Sequence, residues 1–355
     1  MTTRRSFLAG LLAAASAPSL SWADAGSPAY LAAAKEPSGA HALFGLAASG
    51  QDVFRIALPD RGHAAAAHPT APEAVAFARR PGTFALVIDC VSGSLKHRLH
   101  APEGRHFYGH GAFIATGDVL VTPENDWETG AGRLGLWSRR ENYRRIGEIA
   151  SGGTGPHDIL RLDGDVLAVA NGGIRTRPDR GREKLNIDTM RPNLAYVDAD
   201  LGLLEVVELE PGLQMNSIRH LAARDGTVAF AMQWQGELPD PAPLLGLHRR
   251  GAAPILCTAD LAEQMAMEGY AGSVAISPEG MVGITSPRGA RLHVFRPDGG
   301  FEASHRQPDI CGLAAGRAGF VATDGLGHVL AETGGALVLT AQGDRAWDNH
   351  LVRIA

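Results

Sequence analysis

The hydrophobic pattern of this chain is one of short runs. Stretches such as Val119-Leu120-Val121-Thr122, Val166-Leu167-Ala168-Val169-Ala170, Thr227-Val228-Ala229-Phe230-Ala231 and Phe320-Val321-Ala322-Thr323 are each bounded by Gly, Pro, Asp or Asn. Runs this short and punctuated predict strands rather than helices. Asp163-Gly164 and Asp225-Gly226 each separate two apolar runs, which is a hairpin signal. Residues 259–268 are the main exception and predict one short helix.

The runs also recur at a fixed scale. His68, His110, His157, His220 and His350 each follow a turn and precede an apolar run, with successive spacings of 42, 47, 63 and 130 residues. The last interval leaves room for three units, with Ser273 and Gly312 at the two positions that lack histidine. The unit from His157 to His220, the fourth, is long because a polar segment, 175–193, is inserted between its second and third strands. Repeats of roughly 40–50 residues with four strands each predict an all-β, seven-bladed β-propeller. The C-terminal Asn349-His350-Leu351-Val352 reads as an innermost strand with no blade after it, and the runs at 41–47 and 53–56 as later strands of a blade lacking its first. Pairing of N- and C-terminal strands would close the ring and remove exposed edges.

Composition changes this picture little. The 355 residues include 44 glycines and 21 prolines, as a turn-rich fold requires, and the net charge of −5 shows no basic stripe for nucleic acid. The three cysteines, Cys90, Cys257 and Cys311, fit no zinc spacing and read as buried small residues, with a Cys311 thiolate at the channel as the alternative. Thr3-Arg4-Arg5-Ser6-Phe7-Leu8 resembles the twin-arginine export motif. The apolar run behind it, of about twelve residues, is short of the ~20 a membrane span needs, and Ser21-Trp22-Ala23 is a small-x-small cleavage site. The expected organisation is a signal peptide over 1–23, then one propeller over 24–355 in the periplasm. No further membrane span is expected, and a closed ring would be monomeric.

In a propeller the starts of the innermost strands and the loops between second and third strands meet at one end. The five histidines are thus expected to converge on one channel mouth, facing Arg79-Arg80, Glu124-Asn125-Asp126-Trp127, Gln233-Trp234-Gln235 and Ser286-Pro287-Arg288. Imidazole is the commonest transition-metal side-chain ligand, so His110, His157, His220 and His350, with His68, are the candidate ligands. Glu124, Asp126 and Arg219 are candidates to surround the ion or select a chelate, and Asp158 and Asp348 to orient imidazoles. The alternative is a metal-free mouth that binds an anion through Arg79, Arg219 and Arg288, or docks a partner. A histidine acting as general base in a hydrolase or lyase is a third. The inserted segment, with Arg175, Arg177, Arg180, Arg182, Lys184 and Arg191, reads as a lid, a docking surface or a solvated loop. P-loop, Rossmann, His-Glu-x-x-His, Gly-x-Ser-x-Gly and Cys-x-x-Cys-His motifs are absent, which argues against nucleotide and covalent haem.

The segments Tyr108-Gly109-His110-Gly111, Gly155-Pro156-His157-Asp158, Ala170-Asn171-Gly172-Gly173, Ser217-Ile218-Arg219-His220-Leu221, Thr285-Ser286-Pro287-Arg288-Gly289 and Trp347-Asp348-Asn349-His350-Leu351 resemble the family known as domain of unknown function fifteen-thirteen. Arg177 departs from the pattern, where histidine is expected. The resemblance implies a propeller exported by the twin-arginine route, with genes beside imelysin-like proteins and a di-haem, thiol-oxidoreductase-like protein. It therefore implies a role in periplasmic acquisition of iron or another metal such as copper. With a redox-active ion the protein would be an oxidoreductase.

Overall fold

The computed structural model describes residues 19–79, 83–181, 183–237 and 241–354. The Arg4-Arg5 motif, Arg80 and Arg182 lie outside these. Among the described residues, seven small antiparallel sheets follow one another around a central channel. Blade 1 is built from both ends of the chain: Ala346–Arg353 is innermost, followed outward by Tyr30–Lys35, His41–Leu46 and Asp52–Leu58. Leu31 pairs with Val352 and Ala32 with Leu351, so the ring closes by the pairing that the sequence predicts. The innermost strands of blades 2 to 7 include Gly62–Ala67, Ala112–Ile114, Pro156–Arg161, Asn216–Arg224, Ser273–Ile276 and Ile310–Ala315. Among the described residues the one α-helix is Leu261–Ala266, inside the predicted 259–268, and Asp260 caps it by accepting from Glu263 N at 3.1 Å.

Each sheet buries both faces, because it is sandwiched between two neighbours. That is why its middle strands read as continuous apolar runs. In Glu73–Ala78 every residue is buried, and the period-two alternation sends Ala74, Ala76 and Ala78 toward blade 1 and Val75 and Phe77 toward blade 3. The same partition holds at all seven blade interfaces, each with its own apolar cluster. Outer strands such as Arg144–Ala150 alternate with solvent instead.

The N-terminal turn at 21–26 belongs to this packing. Trp22 is 9% exposed, sits in the cluster between blades 1 and 2, and donates from Nε1 to the His68 carbonyl at 2.9 Å. The expected cleavage after Ala23 falls within this packed turn. A chain beginning at Ser19 is therefore expected to be more stable than one beginning at Asp24, by about 3 kcal/mol, the usual cost of emptying a Trp-sized site. Paired urea titrations of the two chains measure the difference.

Candidate metal centre

In five blades the innermost strand is irregular where it begins, and there the irregularity falls on or beside a histidine. In blade 2 the register slips between Gly62 and Ala65, around His63. In blade 4 it slips between Pro156 and Asp158, around His157, and in blade 5 between Ile218 and His220. In blade 1 Trp347 and Leu351 face Ala34 and Ala32, so Asp348, Asn349 and His350 oppose Ala33 alone. The blade 3 strand is broken in two, Arg105–Phe107 and Ala112–Ile114, with His110 in the gap. A bulge re-aims a side chain that regular pleating would send into a blade interface. Five bulged or broken strands thus turn five imidazoles into the channel.

The rings of His63, His110, His157, His220 and His350 form one cluster, with contacting centroids 4.4–5.9 Å apart. All five side chains are buried. Nδ1 of His63, His157 and His220 and Nε2 of His110 and His350 are buried without a hydrogen-bond partner. Two triads, His63–His110–His350 and His110–His157–His220, each place three ligand atoms within 4.8 Å of one another. An ion bonded at about 2.1 Å holds nitrogens at most about 4.2 Å apart, so small ring rotations bring either triad to coordination geometry. These nitrogens fit a transition ion, because it would give each of them the hydrogen-bond-range partner it lacks; His63 Nδ1 has only Asp348 Oδ1, at 3.9 Å.

His110 is the member common to both triads. Its Nδ1 lies 2.9 Å from Asp158 Oδ1, which leaves Nε2 for the cluster. Asp158 is itself fixed, accepting from Ile159 N and, across to blade 5, from Leu221 N. Carboxylate, imidazole and open nitrogen form the chain that orients a metal-binding histidine. Burial, with the Arg219 guanidinium and neighbouring rings, holds His157 well below the ordinary imidazole range, and burial with neighbouring rings does the same for His220 and His350. His63 is lowered to about 4 by burial, against a partial upward pull from Asp348. These rings are neutral at pH 7 and ready to donate their lone pairs. Burial works to raise the Asp348 carboxyl, but His63, Arg79 and Arg61 override it and hold the group well below the usual carboxylate range.

Sequence reasoning and structure differ on one ligand. His68 is not brought to the cluster; His63 stands there instead. His63 begins the Gly62–Ala67 strand and His68 follows its end, so roughly 16 Å of extended chain separates them. His68 Nδ1 accepts from Thr70 N and Ala71 N in a turn, and its ring packs on Phe113. Glu124 and Asp126 also lie away from the centre. Glu124 is fully buried within blade 3, where Arg145 donates to both carboxylate oxygens and Thr122 to one. Asp126 closes the turn through Thr129 N and lies 3.9 Å from Arg105. Cys311 Sγ faces the Asp348 and Trp347 carbonyls, and burial pushes its thiol up to about 12, so it remains an inert thiol.

Arg79, Arg219 and Arg288 do reach the channel mouth. They line a cavity of about 400 Å³ whose walls include His63, His157 and His220. Arg79 donates to Asp348 Oδ1 at 2.5 Å, and Arg288 stacks over Tyr270 at 4.4 Å. The 175–193 insertion forms part of this mouth. It is pinned to blade 3 by Asn125 Nδ2 donating to the Thr176 carbonyl, and to blade 5 by Lys184 donating to Gln235. On the other side of the histidines the channel is a cavity of about 540 Å³ with Ala65, Phe113, Leu221, Val274 and Leu313 among its walls.

The fold is shared with solved propellers of low identity. Kuenenia stuttgartiensis hydrazine synthase superposes with a TM-score of 0.58 at 12% identity, over 86% of this chain and 89% of that one. A streptogramin B lyase superposes with a TM-score of 0.53 at 11% identity, over 78% of this chain and 82% of the other. No curated protein matches the sequence. Residues 56–354, which take in blades 2 to 7 and the innermost strand of blade 1, match the profile described as "Protein of unknown function (DUF1513)", and to that family the chain belongs.

Proposed function

We propose that this protein is a periplasmic transition-metal centre, holding iron or copper for an uptake system and working beside an imelysin-like partner. The observation that carries the metal reading is the set of five buried, converging imidazole nitrogens with no hydrogen-bond partner. Leaving that many acceptors or donors unmet in a protein interior costs roughly 1–3 kcal/mol each, and a ligated ion removes the cost. The donor set is nitrogen alone, which suits copper, iron, zinc or nickel and disfavours the hard cations magnesium and calcium. The compartment and partner rest on the Arg4-Arg5 motif and on the gene neighbours that the family resemblance implies.

The stoichiometry follows from His110. With Nδ1 committed to Asp158, His110 offers one nitrogen, and that nitrogen serves one ion at a time. Two ions cannot then each hold three histidines, and the cluster is a single centre with five available ligands. When bound, iron or copper would supply one-electron chemistry in a site whose histidines leave room for an exogenous ligand from the mouth. The chain's own part is to keep the rings neutral, to orient His110 through Asp158 and to shield the centre between blades.

The test is metal content by plasma mass spectrometry on protein exported natively and purified without chelator or affinity histidines. The expected result is close to one iron or copper per chain. Protein that is metal-free as purified, and stays so after reconstitution with iron(II), copper(I) and copper(II), would overturn the reading.

A further inference from the structure

The cavity above the histidines has a strong charge asymmetry. Four of its walls are cationic, Arg79, Lys184, Arg219 and Arg288, and Asp309 is its one carboxylate among the described lining residues. Asp348, a buried acid bonded to the lining residue Arg79, is already shared by two guanidiniums, Arg61 at 2.6 Å and Arg79 at 2.5 Å. One negative charge facing two positive charges leaves an excess of positive charge at the mouth. Arg288 forms no ion pair among the described residues and is held over the Tyr270 ring instead.

The arrangement of the cations limits the ligand. They come from four different blades: Arg79 from blade 2, Lys184 from the blade 4 insertion, Arg219 from blade 5 and Arg288 from blade 6. They enter the cavity wall on separate elements rather than on one loop. The volume of about 400 Å³ lies within the usual range for small-molecule sites, ~300–1,000 Å³. Gln233, Gln235, Asn349 and Tyr270 also line the cavity and bring amide and hydroxyl groups to its wall. Cations on separate elements, together with hydrogen-bond groups, match an anion with several separated carboxylates.

We propose that the channel mouth is a binding subsite for a small polycarboxylate, placed so that its carboxylates meet Arg79, Arg219, Arg288 and Lys184 above His63, His157 and His220. The inference deepens the metal reading, on which it rests for its purpose: the ion would arrive as an anionic carboxylate chelate and exchange onto the histidines below. Oxygen ligands are replaced by imidazoles in that exchange, with no change of oxidation state and release of the free polycarboxylate.

The experiment is calorimetric titration of the metal-free full chain with citrate, inorganic phosphate and acetate at low ionic strength. It is repeated on Arg288→Gln and on Arg288→Gln combined with Lys184→Gln, with the metal content of each protein measured in parallel. Citrate is expected to bind at least tenfold more tightly than phosphate or acetate. Each cation removed should weaken citrate about tenfold, as expected for a charge-assisted hydrogen bond, without altering the ion retained. Absent citrate binding, binding untouched by the substitutions, or phosphate binding as tightly as citrate would each overturn the subsite. Failure of the metal centre reads differently, as an ion-free protein whose citrate binding still depends on Arg288 and Lys184.

Discussion

Substitution of His110 by alanine is expected to abolish stoichiometric ion retention, while His68→Ala leaves it unchanged. His110 is the ring that both triads require, so its removal leaves four histidines in two pairs and no complete triad. Losing any one of the other four leaves one triad intact, and those variants should retain an ion with weakened affinity. Asp158→Asn should weaken binding about 10–100-fold, the usual cost of loosening a partner that orients a metal-bound histidine. His68→Ala is the informative control. It removes a buried imidazole of blade 2 whose Nδ1 serves the turn at Thr70 and Ala71, so it should lower thermal stability without touching metal content. Metal content, dissociation constants by competition with a chromophoric chelator, and circular dichroism on the same preparations separate the two effects. Equal retention by wild type and His110→Ala would remove His110 from the centre.

The comparison of His68 with His63 shows where sequence ceases to specify the site. Blade number, strand order and ring closure are legible because they follow from local chemistry. Asp-Gly turns mark hairpins, strands buried on both faces read as unbroken apolar runs, and the orphan runs at the two ends need each other. The direction of a single side chain at a strand start is not local in this sense. It depends on a bulge whose register is set by the neighbouring strand, and the inner strand of blade 2 has a histidine near each end. Repeat spacing of 42 residues selects His68, whereas the interval from His63 to His110 is 47, the same as from His110 to His157. That equality, together with the glycine before both His63 and His110, is the signal that singles out His63. Glu124 and Asp126 lie away from their expected place for a related reason. A carboxylate near a loop looks available until its cross-strand partner is known, and Arg145 lies 21 residues further along the chain. Arg79 and Arg288 reach the mouth from loops between second and third strands, a position legible from the repeat, and Arg219 reaches it from the register shift beside His220.

Acid should unfold the metal-free protein steeply between pH 6.5 and about 4. His157, His220 and His350 are well below the ordinary imidazole value in the folded state, and His63 is lowered to about 4, all chiefly by burial. In the unfolded chain each titrates near 6.5. Below that pH the unfolded state takes up protons that the folded cluster refuses, so stability is intact above about pH 7 and falls as pH falls. Each ring contributes a slope of up to about 1.4 kcal/mol per pH unit, so His63 alone accounts for about 3 kcal/mol by pH 4. Four rings together reach about 5 kcal/mol per unit, which exhausts a typical folding stability of ~5–15 kcal/mol within a few units. Asp348 works in a lower window: its carboxyl is depressed in the folded state, so its contribution persists until pH drops below the ordinary carboxylate range and does not offset the loss above it. An ion bound to the cluster competes with the same protons, so loading should shift the acid midpoint downward and steepen its dependence on metal concentration. Thermal melts of metal-free and loaded protein from pH 7.5 to 4.5 give both curves. A metal-free melting temperature that stays level across that range would mean that His63, His157, His220 and His350 accept protons without penalty, against the cost of charging four buried rings.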